Sequence, residues 1–278
     1  MTSNLRCLGL DTENQAELEA LLRGVFPTAV RVGESQDGVV ACRWTDDSGA
    51  RLTLGIRDDA VADLVPSYDA RPGVRVVGMR VLADEVVSAD VVDADGELLT
   101  RMACELEQWR CLGEGSVAGT VAVTAFGIEV SVHANEAAYA ASPASLLTRE
   151  DEGRPRPADV RPDVDWPMRT ASESFVSYGL FSGEGDAEPH AFAHLSGVVL
   201  AGSTKLNTQT GRAFHVARVR SVLGELDVCV PVSEQPETPV PGNVVSGLVY
   251  LVASIDELWG GVDAVPQPTP RRRRWFRR

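Results

Sequence analysis

Thiols, imidazoles and paired carboxylates are the groups through which this chain could do covalent or metal chemistry. It has five cysteines, Cys7, Cys42, Cys104, Cys111 and Cys229, and four histidines, His133, His190, His194 and His215. Nucleophilic catalysis needs a thiolate beside a base. No CxxC pair or Cys/His ligand spacing occurs, so the pattern does not describe a zinc site. Cys104 and Cys111 bracket "ELEQWR", and neighbouring acidic groups raise a thiol's pKa rather than lower it. The acidic pairs Asp46-Asp47, Asp58-Asp59 and Asp93 with Asp95 fall in turn sequences, "DDSG" and "DADGE" among them. "DADGE" lacks the ligand series and closing glutamate of an EF-hand. No P-loop, GxSxG, HExxH or kinase-type set is present. "GEGSVAG" has no strand-then-helix context for a nucleotide. The expectation is therefore no catalytic residue, no cofactor and no metal, and a protein that is not an enzyme.

Recognition chemistry is concentrated in two places. The chain closes on "PTPRRRRWFRR", in which Arg271, Arg272, Arg273, Arg274, Trp275, Phe276, Arg277 and Arg278 form a cationic-aromatic tail. Guanidinium forks bind phosphate and carboxylate, and the aromatics suit a bilayer interface or base stacking. The second place is the strand after Gly211. Side chains alternate along a strand, so Arg212, Phe214, Val216, Arg218 and Arg220 share one face. That face suits stacking and phosphate contact. The competing arrangement, with the arginines on the protein's own carboxylates and Phe214 in the core, is favoured by the chain's acidity.

That acidity sorts the partners. The net charge is −14, and setting aside the six tail arginines (+6) leaves a body of −20. Such a body repels nucleic acids and anionic membranes at long range. The expected partner of the tail is an acidic protein surface, this protein's own in an oligomer included. An anionic membrane surface comes second, and nucleic acid third. Lys205 is the only lysine, a bias that points to a GC-rich bacterial source. The N-terminal "MTSNLRCLGLDTENQ" does not read as a secretory signal and no apolar run is long enough to span a membrane. With unpaired thiols, the expected location is cytoplasmic, peripheral to a membrane if the tail binds one.

The elements that must position these groups are mainly strands. Leu18, Leu21, Leu22 and Val25 recur at helical spacing, predicting one helix from Asp11 to Phe26, capped by Asp11 or Thr12 and ended by Gly24 and Pro27. "GVVACRWT" and "ARLTLGI" flank the "DDSG" turn. "VRVVGMRVLA" and "EVVSADVVDADGELLTRMACEL" continue the β pattern, and "GSVAGTVAVTAFGIEVSVHA" reads as two short strands around Gly127. "NEAAYAASPASLL" is a short helical stretch. "REDEGRPRPADVRPDVDWP" reads as a proline-rich linker or arm. "ESFVSYGLF", "AFAHLSGVVLAG", "GRAFHVARVRSV", "GELDVCVPV" and "NVVSGLVYLVASI" are further strands.

The stretch from Ala193 to Ile255 resembles an OB-fold module, the small Greek-key barrel. A strand with Gly197 leads to the "NTQTGRAF" hairpin, two more strands follow, and Pro241-Gly242 starts a strand carrying Gly247. The resemblance implies a barrel that serves as a scaffold or binds oligonucleotides or proteins. "PGVRVVG" (Pro72 to Gly78) parallels "PGNVVSG" (Pro241 to Gly247), and "DDSGARLTLGI" parallels "TQTGRAFHVARV", which suggests a diverged duplication. The fold class is mainly β (α+β): two β-rich domains, the C-terminal one OB-like, with one N-terminal helix. The expected division is residues 1–148 for the helix and first β-rich domain, 149–170 for the linker, 171–262 for the barrel, and 263–278 for the spacer and tail. The expected function is a non-catalytic binding or assembly protein tethered by its tail. Single-stranded nucleic-acid binding through barrel face and tail is the alternative, and an enzyme with an unfamiliar site is a third reading.

Overall fold

A computed structural model describes residues 4–35, 37–58, 60–157, 160–161, 163–180, 188–261 and 265. The chain starts with a 3-10 turn, Asn4–Leu8, and one long helix, α1 (Gln15–Val25). Asn14, not Asp11 or Thr12, caps α1. Its side-chain oxygen accepts from the Glu17 N–H at 3.1 Å, and the Glu17 carboxylate accepts from the Glu13 N–H at 2.8 Å. This reciprocal arrangement satisfies two otherwise orphaned donors. Gly24 lies inside the helix. Pro27 opens a second short 3-10 turn, Phe26–Thr28, rather than stopping the chain, because proline has no N–H to lose in a first helical turn.

Four antiparallel strands follow: β1 (Val30–Glu34), β2 (Val40–Thr45), β3 (Ala50–Arg57) and β4 (Ala60–Tyr68), in the spatial order 1-2-3-4. The β2–β3 hairpin turns where expected. Asp46 accepts from the Ser48 N–H at 2.9 Å, and Gly49 takes φ 93°, a conformation glycine adopts without steric cost.

The second sheet contains β5 (Val74–Ala83), β6 (Val86–Val92), β7 (Leu98–Leu106), β8 (Val117–His133), β9 (Ser174–Ser177), β10 (Phe192–Leu206), β11 (Ala213–Ser221), β12 (Gly224–Pro231) and β13 (Val244–Ser254). Its pairings close on themselves twice. The first ring runs β5, β6, β7, then parallel to β13, then antiparallel to β8 and back to β5. The second runs β10, β11, β12, then parallel to β8, then antiparallel to β13 and back to β10. Each ring is closed by the fourth strand of the other. The four strands of the Ala193–Ile255 stretch therefore form a ring only with β8 in it.

The architecture repeats, but not through the segments that suggested a repeat. "PGVRVVG" leads into β5, the first strand of one ring, whereas "PGNVVSG" leads into β13, the fourth of the other. "ARLTLGI" is β3, outside both rings. Glycine and proline recur at turns whatever the rank of the strand that follows. β8 is one strand of 17 residues, not two. A Cβ on Gly127 would lie 2.6 Å from a Val230 methyl, so this glycine permits close packing and does not break the strand.

Ring interiors are filled by Val74, Val123, Val228, Leu251 and their neighbours, and Val265 packs into the same cluster. A second cluster joins Leu8, Leu21, Trp44 and Leu52 to Phe126, Phe214, Cys229 and Val252. The helix and four-stranded sheet thus cap the outside of the rings. Each large apolar side chain buried in that cap contributes roughly 1.5–3 kcal/mol. The segment between β8 and β9 carries a short helix, α2 (Glu136–Ala141). It is tied down by Leu147 N–H to Met168 O at 2.9 Å and Thr170 N–H to Ser145 O at 2.7 Å. Among the described residues no helix is long and apolar enough to cross a membrane.

Candidate functional site

The β11 face identified from sequence is occupied by the protein itself. Arg212 lies just before β11 and pairs with Asp11 at 3.0 Å. Phe214 is fully buried, edge-on to Tyr68 with ring centroids 6.3 Å apart. Arg218 is buried and bridges Asp227 at 3.0 Å and Glu225 at 3.3 Å, and also donates to the Arg71 carbonyl at 2.9 Å. Arg220 reaches out to Glu173 at 2.7 Å. The strand thus brings Phe214, Val216 and Arg218 together and leaves Arg212 and Arg220 apart, each on its own carboxylate. The tail residues Arg271, Arg272, Arg273, Arg274, Trp275, Phe276, Arg277 and Arg278 lie outside the described residues.

The same strand face floors a cleft of about 220 Å³. Cross-strand partners share a face. Lys205 stands opposite Phe214, Ser203 opposite Val216, and Ala201 opposite Arg218, with Asp227 next across β12. Tyr68, Asp69 and Arg71, the segment leaving β4, form the wall. Asp69 is ion-paired with Arg51. Burial raises the Asp227 carboxyl above its usual range, while Arg218 and then Arg71 pull it back. The Tyr68 phenol is pushed up by burial first and then by Cys229, Asp227 and Asp69. Lys205, Arg71 and Tyr68 were missed in the sequence. Alternation puts Lys205 in step with Ser203 and Ala201, but the register that sets it opposite Phe214 is not written in either strand alone.

The other reactive groups are differently placed. Burial pushes Cys7 and Cys104 up to about 12, Cys111 upward, and Cys229 well above its ordinary value. These thiols stay protonated at neutral pH, which is the opposite of nucleophile activation. At the end of β7, Glu107 is buried, hydrogen-bonded to the Ser67 hydroxyl and 3.6 Å from Arg43. Burial raises its pKa against the pull of Arg51 and Arg43. Beside it, Gln108 donates to Ser254 Oγ at 3.1 Å and accepts from the Ile255 N–H at 3.1 Å. These contacts fasten the four-stranded sheet and the chain after β13 to the end of β7, and read as structure. A second cavity, about 380 Å³, is lined by Leu146, Leu147, Glu129, His194 and Ser246 among others. On its rim Ser131 Oγ meets His133 Nε2 at 3.0 Å, and burial lowers that imidazole's pKa. Among the described residues no group of three or more His, Cys, Asp or Glu side chains is placed to hold a metal ion.

Comparison with known proteins returns no matching family model, no similar curated protein and no similar solved structure.

Proposed function

We propose that this is a non-catalytic binding and assembly protein, and that Arg271–Arg278 is the tether by which it engages an acidic protein surface, its own in an oligomer included. The observation that carries the reading is the fate of the body's arginines. Arg212, Arg218 and Arg220 each pair with a carboxylate of the same chain, as do Arg43, Arg51, Arg101 and Arg110. Because these arginines are neutralised internally, most of the −20 surplus stays uncompensated, and the six tail arginines are a separate charge block matched to it. Each ring has five strands closed by one parallel contact, and we read both as OB-like barrels used as scaffold. With Phe214 buried, that face offers no ring for stacking bases. Five free thiols suit a reducing, cytoplasmic setting.

The test compares the full-length protein with one truncated after Pro270, by light scattering at low and high salt. The reading expects the full-length protein to self-associate, or to capture an acidic protein, in a salt-sensitive way, and the truncated protein to lose this. Identical behaviour of the two proteins in both assays sinks it.

A further inference from the structure

We infer that the cleft between β10–β12 and the Tyr68–Arg71 segment is a binding site for a small phosphate-bearing molecule, gripped by Lys205 and Arg71 above Arg218. This goes beyond the tether and does not depend on it. The argument starts from which cations are left over. Most arginines of the body have a carboxylate partner, as described above. Among the described residues the Lys205 ammonium makes no ion pair or hydrogen bond, and the Arg71 guanidinium makes no ion pair, although its charge is felt by Asp227. Both line the same cleft.

The two carboxylates in the cleft are already engaged, Asp69 with Arg51 and Asp227 with Arg218. They neutralise the inner guanidiniums, and Lys205 and Arg71 keep no ion pair of their own among the described residues. Arg218 is fixed from three sides by Asp227, Glu225 and the Arg71 carbonyl, so it forms a rigid floor whose charge is already matched. The Tyr68 hydroxyl on the wall stays protonated and can donate. Lysine and arginine lining one cleft match a phosphate dianion, the lysine as a point charge and the arginine as a fork. Val216 and the Tyr68 ring give the molecule's organic part an apolar contact. A cleft of about 220 Å³ admits a phosphate with a few attached carbons, below the usual volume of a drug-sized site. In an acidic body the approach of an anion is opposed at long range, so the grip must come from these local contacts.

Because Lys205 is the only lysine, reductive methylation of the full-length protein with ¹³C-formaldehyde labels one side chain besides the N-terminal amine, and methylation keeps its charge. Inorganic phosphate, then glycerol 3-phosphate, would be titrated against chloride at matched ionic strength. The site predicts a saturable shift of the Lys205 signal with both phosphates and none with chloride. It predicts tighter binding of glycerol 3-phosphate, through its carbons, and about tenfold weaker binding in Arg71→Ala. With unmodified protein, phosphate should raise Tm more than chloride does, and Lys205→Gln should remove that difference while melting like wild type without ligand. Since the reporter is local, phosphate captured by the tail arginines would leave it unmoved. A Lys205 signal with no saturable response, or an affinity unchanged in Arg71→Ala, overturns the proposal.

Discussion

The parallel contacts of the two rings meet at one pair of residues, and from that pair outward the rings can be compared side chain by side chain. Thr124 of β8 stands opposite Val252 of β13. Beyond Thr124 the row continues to Asp227 and Arg218, and beyond Val252 to Glu105 and Val86. Each ring thus places a buried acid at the same step from the shared pair. In the second ring the next residue is an arginine, which pairs with the acid. In the first it is a valine. Glu105 is pushed up to about 8, by burial first and then by Glu85, Asp63 and Glu107, against a hydrogen bond with Tyr250. One backbone plan therefore carries two electrostatic solutions, an ion pair in one ring and an acid kept protonated in the other. The lesson is that the strand exchange constrains backbone order while the outward positions diverge.

The largest effect should come from separating the rings. Each lacks its closing strand without the other, and leaves edge strands open. Fragments 1–148 and 149–278 should each fail to show cooperative melting by circular dichroism, and should purify as a folded pair when co-expressed. A fragment that melts cooperatively alone would break the exchanged-strand picture. Next come two glycines at matching positions, Gly119 five residues before Thr124 and Gly247 five before Val252. A Cβ on Gly119 meets nothing within 4 Å, whereas Gly247 has φ 146° and a Cβ there would collide with the Glu129 carbonyl. Gly247→Ala should destabilise by more than about 4 kcal/mol and Gly119→Ala by under about 1, read from denaturant midpoints.

Much of the local structure was legible in the sequence and the closure of the rings was not. Asp46 to Gly49 and Asp93 to Gly96 announce hairpins because their turn chemistry is local. Strands β10 to β13 show their apolar runs equally well. The parallel contacts of β7 with β13 and β12 with β8 join residues more than 100 positions apart, and nothing in either strand names its partner. β1 and β4 carry weaker patterns, since β1 lies at a sheet edge with Val30 exposed. At the candidate site, alternation placed Phe214, Val216 and Arg218 on one face. Whether that face met solvent or protein depended on the cap that the helix and first sheet lay over it. Lys205 and Arg71 became neighbours only through that cap.

The contrast between the two acids makes opposite predictions for two conservative changes. Unfolded, Glu105 loses its proton near pH 4.5, and folded it does so near about 8. Between those values the folded state holds a proton the unfolded state has lost, so stability falls as pH rises. Glu105→Gln, which keeps a polar partner for Tyr250, should flatten that fall. It should be neutral at pH 4 and stabilising by on the order of 3 kcal/mol at pH 8, measured by urea unfolding across the range. The smaller effect belongs to the paired acid. Asp227→Asn leaves the buried Arg218 with only one counter-charge, Glu225, whose side chain is half exposed. Burial raises the Asp227 carboxyl too, which favours the amide, but the amide gives up the 3.0 Å bridge to Arg218, so the change should destabilise by about 2 kcal/mol at pH 7, less than the usual penalty for a broken buried pair because one partner remains. Adding Arg218→Met should recover most of that loss, since an apolar side chain needs no counter-charge. If Asp227→Asn proves stabilising, as Glu105→Gln is expected to be, then the arginine is not what distinguishes the two rings.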